Sequence, residues 1–510
     1  MPEYKGPGVY VEEIHGLPPS VAALPTHIPV FIGYTEQCEC DGKTLLNTPK
    51  RISSLREFER YFGTDVQHKF TVLAAKRGQA SDVTLGTNAY CLRQNSADYM
   101  LYRSIALYFS NGGGSCYIVS VGNYQTPISV SALVTGLAAV AAEEMTAIVV
   151  IPDAVALSSL AECSQVQQAL INFCVATQRF AILDIYQGYF ARNESGQRDC
   201  IEDFRTNITG SNLSYAAAYY PWLRALIVSE KQLSFANMAN VDGLKKLLIA
   251  ELDLLYPNKN RQTLVKRKQI TSLLDNIAKV EIHSCNEKQL FEYQQLNSNL
   301  LALSPLYSQI ITSISQKLNS LPPSGAICGA YVKNDLSYGV WKAPANLKLL
   351  AVSSPCITLD NNQQQELNVT PSGKSVNALR SFPNKGTLIW GARTLLGNDN
   401  EWRYINIRRT ALMLEQSIAS AIEPMIFEPN EHDLWVKVKA MCDNFLQHYW
   451  REGALAGAKP EHAYFVKAGL GQTMTEVDIR DGRLIVQIGI AMTKPAEFIV
   501  LTIKQLMSSS

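Results

Sequence analysis

The chain lacks an excess of charge of either sign. Its 510 residues carry 46 Lys and Arg against 45 Asp and Glu, a formal net charge of +1, and charged residues make up only 18%. Proteins that bind nucleic acid or another polyanion usually show a clustered excess of basic residues. We therefore expect no nucleic-acid partner. A hydrophobic content of 47% over this length predicts two or more domains with sizeable cores.

The chain also lacks the cysteine spacings and apolar runs of secreted and membrane proteins. Its eleven cysteines are odd in number and include no Cys-x-x-Cys pair, which indicates free thiols in a reducing compartment. The first residues show no charged-then-apolar leader. The longest apolar stretch, 137–151, is interrupted by Glu143 and Glu144 and is too short to span a bilayer.

Signatures of the common catalytic and metal sites are missing from the sequence. The seven histidines include no His-Glu-x-x-His arrangement, and there is no Gly-x-Ser-x-Gly elbow. The one glycine-rich run, 111–114, precedes a strand-like segment, whereas a phosphate-binding loop needs a strand before it and a helix after it. We interpret this run as a helix end leading into a strand. The sequence thus predicts no catalytic residue, no metal ligand and no cofactor site.

What the chain does contain is clearest in its last third, where two amphipathic helices are predicted. The second is expected to begin at Asn430, a residue suited to capping a helix N-terminus, and to end at Gly453. We interpret both apolar stripes as core-facing. They comprise Ile407, Ala411, Leu414, Ile418, Ala421 and Met425 in the first helix, and Leu434, Val438, Met441, Phe445 and Tyr449 in the second.

Two strand-like runs follow these helices. In the run 483–492, Leu484, Val486, Ile488 and Ile490 alternate and so share one face of a strand. The run 498–503 is apolar on both faces, so it needs cover on both sides. It either pairs inside its own domain or adds to the sheet of another subunit, and the sequence leaves both possibilities open.

Upstream of this region, the chain predicts an extended arm and an α/β body. Prolines keep the first 25 residues extended, and strands alternate with helices beyond them. A helical pattern at 242–321 interrupts the alternation, and short strand-like pieces are predicted at 330–332 and 338–341. The predicted fold class is a multidomain α+β or α/β protein. Its expected parts are an N-terminal arm 1–25, a body 26–380 with the insertion 242–321, a C-terminal α/β domain 381–492 and a C-terminal arm 493–510.

Three groups of motifs, taken together, resemble contractile tail sheath proteins of phage tails and of phage-tail-like injection particles. No single motif is catalytic, and the order and spacing along the chain carry the resemblance. The helical insertion is similar to sheaths of antifeeding-type particles. The groups are Gly6–Glu13 with Pro29–Tyr34; Pro322–Gly325 with Gly339–Asn346; and Gly391–Thr394, Trp402–Arg409, Phe427–Asn430, Leu434–Trp435 and Lys494–Phe498.

The resemblance implies a mechanical role for this chain. Sheath subunits stack as six-membered rings around a rigid inner tube, and arms from neighbouring subunits add strands to a small sheet in a third subunit. The linked rings rotate, expand and shorten, which drives the tube through a target membrane. The implied arm residues are Val9, Tyr10, Val11, Phe498, Ile499, Val500, Leu501 and Ile503. The implied receiving sheet contains Leu388, Trp390, Leu484, Val486 and Ile488, and the implied tube-facing residues are Asp433, Lys437 and Lys439.

The resemblance also implies the partners and the location. Expected partners are further copies of this chain, an inner tube protein, baseplate and terminal cap proteins, and paralogous sheath proteins, without direct membrane insertion. Assembly is expected in the bacterial cytoplasm, and the particle is expected to be released.

Two alternatives remain open from the sequence. One is a related tail component, either a sheath terminator or a baseplate-proximal protein, although the length and the two arm motifs favour the main sheath. The other is a soluble α/β enzyme acting on a nucleotide. Rings or tubes in electron microscopy would support a sheath, and monomers that turn over a small molecule would support an enzyme.

Overall fold

A computed structural model describes residues 21–497, apart from 77–79, 144, 193–197, 257–266, 269–270, 274 and 276–286. Contacts between residues divide the chain into two units. The larger one, here called the body, consists of Thr26–Tyr338 and Ala343–Ile405. The smaller one, here called the C-terminal unit, consists, among the described residues, of 21–25, Gly339–Lys342 and 406–497. Each unit is described by itself.

The strands, numbered in chain order, have these bounds: β1 Pro29–Thr35, β2 Glu39–Cys40, β3 Lys43–Thr44, β4 Lys50–Ile52, β5 Phe70–Ala74, β6 Val83–Leu85, β7 Asn88–Gln94, β8 Cys116–Asn123, β9 Ile148–Val150, β10 Phe180–Asp184, β11 Ala216–Tyr220, β12 Leu223–Ala225, β13 Ser320–Leu321, β14 Leu347–Lys348, β15 Val352–Pro355, β16 Asn377–Phe382, β17 Gly386–Trp390, β18 Tyr464–Ala468 and β19 Val486–Ile490.

The helices, numbered the same way, have these bounds: α1 Leu55–Phe62, α2 Leu101–Ser110, α3 Val130–Val140, α4 Leu160–Ala176, α5 Cys200–Asn207, α6 Val241–Leu255, α7 Glu287–Leu303, α8 Pro305–Leu318, α9 Ser324–Tyr338, α10 Asn361–Asn368, α11 Ile405–Ile422, α12 His432–Arg451, α13 Pro460–Ala463 and α14 Glu476–Arg480.

The body is built on a nine-stranded sheet in the order β14-β17-β16-β11-β10-β9-β1-β8-β4. The six strands from β16 to β8 are parallel, and the strands at each margin run antiparallel to their neighbours. Every residue of β1 is buried, as expected for a central strand covered on both faces. The α/β layer predicted from the sequence is therefore confirmed.

Helices cover both faces of this sheet. Phe31 of β1 packs its ring against Tyr108 of α2, with 5.1 Å between the ring centroids. The next residue, Ile32, points to the opposite face, where it lies against Gly136 of α3. The glycine-rich run between α2 and β8 is the predicted helix end leading into a strand, so that interpretation is also confirmed.

The predicted helical pattern at 242–321 is observed as α6, α7 and α8, which build a second core in the body. These helices pack against the three-stranded sheet β5-β7-β6, which the sequence analysis did not predict. The strands contribute Phe70, Val83, Leu85 and Leu92 to that core, and the helices contribute Leu244, Leu248, Leu252, Leu300, Tyr307, Ile310, Ile314 and Leu318.

Two sequence predictions for the body are wrong. Residues 330–332 belong to α9 and not to a strand, because the helix is buried along most of its length and shows no amphipathic pattern. The C-terminal domain does not begin at residue 381, because β17 pairs with β16 and β14 and so belongs to the body. The division between the two units falls after Ile405 instead.

Candidate functional site

The core of the C-terminal unit is formed by the two helices that the sequence predicted. Both predicted stripes contribute to it, and its buried side chains include Leu414, Ile418, Met425, Leu434, Val438, Met441, Phe445 and Tyr449. Residues from the middle of the chain complete this core: Val340 is buried within it, and the Trp341 ring packs edge-on against Tyr449 at 5.7 Å. The predicted strand at 338–341 is therefore wrong, since these residues pack as an inserted segment.

One side chain connects the distant segments of this unit. The Asn406 amide group donates hydrogen bonds to the carbonyl oxygens of Trp341, at 2.9 Å, and Thr493, at 3.2 Å. Met492 also packs against the core. The chain is thus fixed to the unit at Thr493, the first residue of the predicted C-terminal arm.

The C-terminal unit carries a sheet of two antiparallel strands, β18 and β19. Their register pairs Tyr464 with Ile490, Val466 with Ile488 and Ala468 with Val486. On the inner face of β19, Leu484, Val486, Ile488 and Ile490 pack against the core of the unit. The alternation predicted for this run is confirmed.

Both outer edges of this sheet present backbone groups without a third strand, among the residues that the structure describes. The amide of Ala491 donates to the carbonyl of Ala463 at 2.7 Å, in the same register as the ladder. In an antiparallel pair, alternate residues exchange backbone hydrogen bonds with the partner strand, and the N–H and C=O groups of the residues between them point away from that strand. The backbone groups of Val486, Ile488 and Ile490 therefore point away from β18.

The same alternation applies to β18, where the backbone N–H and C=O groups of Val466 and Ala468 point away from β19. The hydroxyl of Thr473 lies between the two strands just beyond the ladder, accepting from the amide of Gly469 and donating to the carbonyl of Ile485. This contact closes the sheet at one end and leaves its long edges open.

The outer face of the sheet is partly apolar. Phe465 is 44% exposed, and its ring lies over Gly489, its cross-strand partner, so that no side chain larger than hydrogen fits there without moving the ring. The ammonium group of Lys467 lies 5.0 Å from the centre of the same ring. A cation at this distance stabilises an exposed aromatic ring by about 0.5–1 kcal/mol.

Buried carboxylates occupy the carboxyl edge of the parallel strands in the body, where α/β enzymes bind their ligands. Asp153 accepts from the amides of Met100 and Leu101 at the start of α2, at 2.6 and 3.1 Å. Asp184, the last residue of β10, accepts from the amide and the hydroxyl of Ser324 at the start of α9. Burial raises the pKa of Asp153 to about 6 and that of Asp184 to about 7, although the hydrogen bonds oppose this.

Two absences can be stated for the described part of the chain. Within it, no group of three or more His, Cys, Asp or Glu residues is placed to hold a metal ion. No helix there is both long and apolar enough to cross a membrane.

Comparison with known proteins shows which family this arrangement belongs to. The family model for the phage tail sheath C-terminal domain matches residues 397–505. A chain from the cryo-EM structure of the anti-feeding prophage baseplate, 6-fold symmetrised, is 26% identical; the match covers 99% of this chain and 100% of that one, with a TM-score of 0.57. Residues 397–505 thus form a phage tail sheath C-terminal domain, and the whole chain has the fold of contractile sheath proteins.

Two further solved structures agree with this assignment. The sheath complex of an extracellular contractile injection system, PVC, in the contracted state is 25% identical, with 99% of each chain covered and a TM-score of 0.58. The contracted helical sheath of the anti-feeding prophage is 25% identical over 98% of this chain and 99% of that one, with a TM-score of 0.59. A comparison with curated proteins found no match. The chain is therefore a structural sheath subunit of a phage-tail-like contractile system.

The residues predicted to form the receiving sheet of this sheath subunit are not in one sheet. Val486 and Ile488 lie in β19, and Leu484 lies two residues before it. Leu388 and Trp390 lie in β17 of the body, where Leu388 is paired with Lys348 on one side and Arg380 on the other. Because both of its edges are already paired at Leu388, β17 cannot accept a further strand there. The prediction that β17 takes part in the receiving sheet is wrong.

β18, the strand that pairs with β19, was not predicted from the sequence. The side chains of β18 alternate: those of Val466 and Ala468 are buried, and those of Phe465 and Lys467 are exposed. That short alternation was the available signal. It is weak because only five residues carry it, between the turn of α13 and Gly469.

The predicted arm residues Val9, Tyr10, Val11, Phe498, Ile499, Val500, Leu501 and Ile503 lie outside the described residues. The structure does describe the end of the predicted N-terminal arm, from residue 21. There, the amide of Leu24 donates to the hydroxyl of Ser417 at 2.9 Å, and Val21 packs against the core of the C-terminal unit. Residues 21–25 are thus attached to their own subunit.

The predicted tube-facing residues Asp433, Lys437 and Lys439 all lie on α12, on the sides of the helix that face away from its core stripe. Asp433 and Lys437 are one turn apart, whereas Lys439 lies on the other side of the exposed surface. Lys437 pairs with Glu428 at 3.1 Å. The three side chains therefore do not form one patch, and their contact with a tube stays a prediction.

Proposed function

We propose that this chain is the repeating subunit of a contractile sheath, stacked in six-membered rings around an inner tube. Full-length similarity to a contracted helical sheath and to a chain of a 6-fold symmetrised baseplate supports this arrangement. Heterologous contacts between identical subunits generate rings or helices. The expected partners are other copies of this chain, an inner tube protein, and baseplate and cap proteins.

The observation that carries the proposal is the two-stranded sheet with open edges. A lone pair of strands is at most marginally stable in water, and an open edge is a template for a further strand. The edge of β19 offers outward backbone groups at Val486, Ile488 and Ile490, a length suited to a terminal segment of five or six residues. We propose that terminal segments 1–20 and 498–507 of neighbouring subunits pair with these edges.

Strand addition also suits a sheath that changes length. Main-chain hydrogen bonds set the direction and register of the added strand, so the link survives rigid-body movement of the domains that it joins. Leu24 follows one proposed arm segment and Thr493 precedes the other, and both are hydrogen-bonded to their own unit. This supports assigning to the arms only the residues beyond them. The subunits would stay connected while the rings rotate, widen and shorten, and the tube would be driven through a target membrane.

We infer a mechanical role without catalysis. The N-termini of α2 and α9 lie at the carboxyl edge of the sheet, where a helix end could bind an anion, and both are capped by the protein's own buried carboxylates, Asp153 and Asp184. This capping disfavours the nucleotide-dependent enzyme as an alternative. We place assembly in the bacterial cytoplasm, followed by release of the particle.

Electron microscopy of the purified full-length chain tests the proposal. We expect rings or tubes from the full chain, and a folded monomer that forms neither when residues 1–20 are deleted. Circular dichroism and thermal unfolding would verify that the shortened chain folds. Loss of folding would show that these residues belong to the core of their own subunit. Dispersed monomers from the full chain under all conditions would exclude the sheath assignment, and assemblies confined to tube ends would favour a sheath terminator.

A further inference from the structure

The turn between α11 and α12 exposes a large aromatic side chain completely. Phe427 is 100% exposed and its neighbour Ile426 is 60% exposed, whereas Met425, one residue earlier, is buried in the core. Phe427 also has a φ of 76°, in the left-handed region that bulky residues rarely occupy. We call Ile426 and Phe427 the apolar tip.

The tip is held in place by contacts on both sides. The amide of Ile426 donates to the carbonyl of Glu423, and the amide of Glu428 donates to that of Met425, each at 3.1 Å. The Glu428 carboxylate is paired with Lys437, also at 3.1 Å. A loop fixed in this way loses little conformational entropy when it binds a partner, which favours binding.

The exposed aromatic ring and the left-handed backbone of the tip are both unfavourable in the isolated chain in water. An exposed Phe ring contributes nothing to the stability of the isolated chain, and the left-handed backbone adds strain. Fully exposed aromatic side chains that become buried against a partner are typical of interaction hot spots. The one charged side chain next to the tip in sequence, Glu428, is already paired with Lys437, so the surroundings of the tip favour an apolar partner surface over a charged one.

The position of the tip indicates which partner covers it. Asn430, three residues after Phe427, donates from its side chain to the carbonyl of Arg483 at 3.1 Å and accepts from the Trp435 indole at 2.7 Å. Arg483 lies three residues before β19. The expectation that Asn430 caps α12 is therefore wrong: its side chain links the chain that follows the tip to the segment that enters β19.

We propose that the apolar tip inserts into an apolar surface of a second copy of this chain, next to the strand-exchange contact. This inference rests on the proposed function, because the segment bonded to Asn430 leads into the strand that is proposed to receive the neighbour's strand. The contact would be heterologous, tip to a different surface, and such contacts build rings and helices.

The substitution Phe427→Asn tests the proposal. Asn tolerates a left-handed backbone, so we expect the isolated variant to unfold at the same temperature as the natural chain or at a higher one. At the same time, loss of one aromatic hot spot should raise the concentration needed for assembly by about 10-fold or more. Phe427→Leu should restore much of the assembly. Leu226→Asn, at a 65% exposed position of the body, is the matched control and should assemble normally.

Photo-crosslinking identifies the partner directly. With p-benzoylphenylalanine in place of Phe427, assembled material should give covalent products at multiples of the mass of this chain. Assembly of Phe427→Asn at the natural concentration, or crosslinks to the tube protein but never between copies, would overturn the inference while leaving the sheath function intact. Failure of the unsubstituted chain to form rings or tubes would remove the proposed function, and this inference with it.

Discussion

Gly325 of α9 lies directly against the backbone carbonyl of Ser104 in α2, and any side chain at that position would overlap the carbonyl oxygen. Gly329, one turn later, lies in the same way against the backbone of Tyr108. The two glycines are four residues apart, as are the residues that they contact, so the helices meet backbone to backbone along one turn. This crossing fixes the position of α9, whose N-terminus is capped by Asp184.

The first prediction follows from this crossing. Gly329→Ala should destabilise the body by about 1–3 kcal/mol, because the added methyl group would push α9 away from α2. Chemical denaturation of the purified monomer would measure this loss. Gly243→Ala, near the start of α6, is the control: its methyl group would meet the Asn240 side chain that caps this helix, at 3.2 Å, which is less close than the backbone contact at Gly329, so we expect a smaller loss of stability. Equal effects of the two substitutions would contradict close helix packing.

The second prediction compares two kinds of residue in β19: those whose amide points out of the sheet and those whose amide bonds to β18. Ile488 points its amide out of the sheet, so Ile488→Pro should leave the β18–β19 ladder intact and remove one donor for an added strand. We expect a folded monomer that assembles poorly. Ile488→Ala loses the same side-chain packing but keeps the amide, so it should assemble better than the proline variant.

Gln487→Pro provides the opposite case. The amide of Gln487 faces Lys467 within the ladder, so proline at this position should disrupt the sheet itself and lower the stability of the C-terminal unit. Hydrogen exchange at β18 would report that disruption. If Ile488→Pro assembled as well as Ile488→Ala, the outer edge of β19 would not be a strand acceptor.

The elements that the sequence predicted well are those with one buried face. The α11 and α12 stripes and the alternation in β19 each have the period of their own structure, so hydrophobicity alone identifies them. By contrast, α9 is buried on nearly all sides and therefore has no polar face, and the β-prone residues Tyr331 and Val332 suggested a strand. Tertiary packing overrides local propensity at such a position.

The candidate site was predictable in part for a related reason. Alternation shows which face of a strand is buried, but it carries no information about which other strand pairs with it. The sequence therefore identified Val486 and Ile488 correctly as strand residues and assigned them a wrong partner, the run containing Leu388. Phe427 appeared only as part of a family motif, and its exposure could not be predicted, because a single aromatic residue in a turn has the same local pattern whether it is buried or exposed.

The third prediction concerns Arg103, which is fully buried in α2 of the body. Its guanidinium group donates to the carbonyl oxygens of Leu318, at 2.8 Å, and Tyr99, at 3.0 Å, and pairs with the carboxylates of Asp98 and Asp65. Lysine has one charged centre and cannot reach all four partners. We expect Arg103→Lys to destabilise the body by about 3 kcal/mol or more, since it leaves buried partners unpaired.

Thermal unfolding of the folded monomer would check the effect of Arg103→Lys. Arg51→Lys, at an exposed position in β4, is the matched control and should change the unfolding temperature little. Equal tolerance of both substitutions would show that the charge of Arg103 matters and its geometry does not.

The last prediction is a pH dependence of stability centred on Asp184. Burial raises the pKa of this carboxyl group to about 7 in the folded chain, so the folded state binds the proton more tightly than the unfolded state does. Its contribution to stability is therefore fully present at a pH below about 4 and is lost as the pH rises towards 7. Asp184→Asn removes the titration and keeps a group that can bond to both the amide and the hydroxyl of Ser324.

The difference in unfolding free energy between Asp184→Asn and the natural chain should therefore shift in favour of the variant as the pH rises from 4 to 7, by at most about 4 kcal/mol. Denaturation of both monomers across this range measures it. Asp478 is the control of opposite sign, because the hydrogen bonds from Thr475 lower the pKa of its partly exposed carboxyl group, so its contribution is lost as the pH falls. A pH-independent difference at Asp184 would mean that the cap of α9 is ionised throughout, and that the helix N-terminus outweighs the burial of the carboxylate.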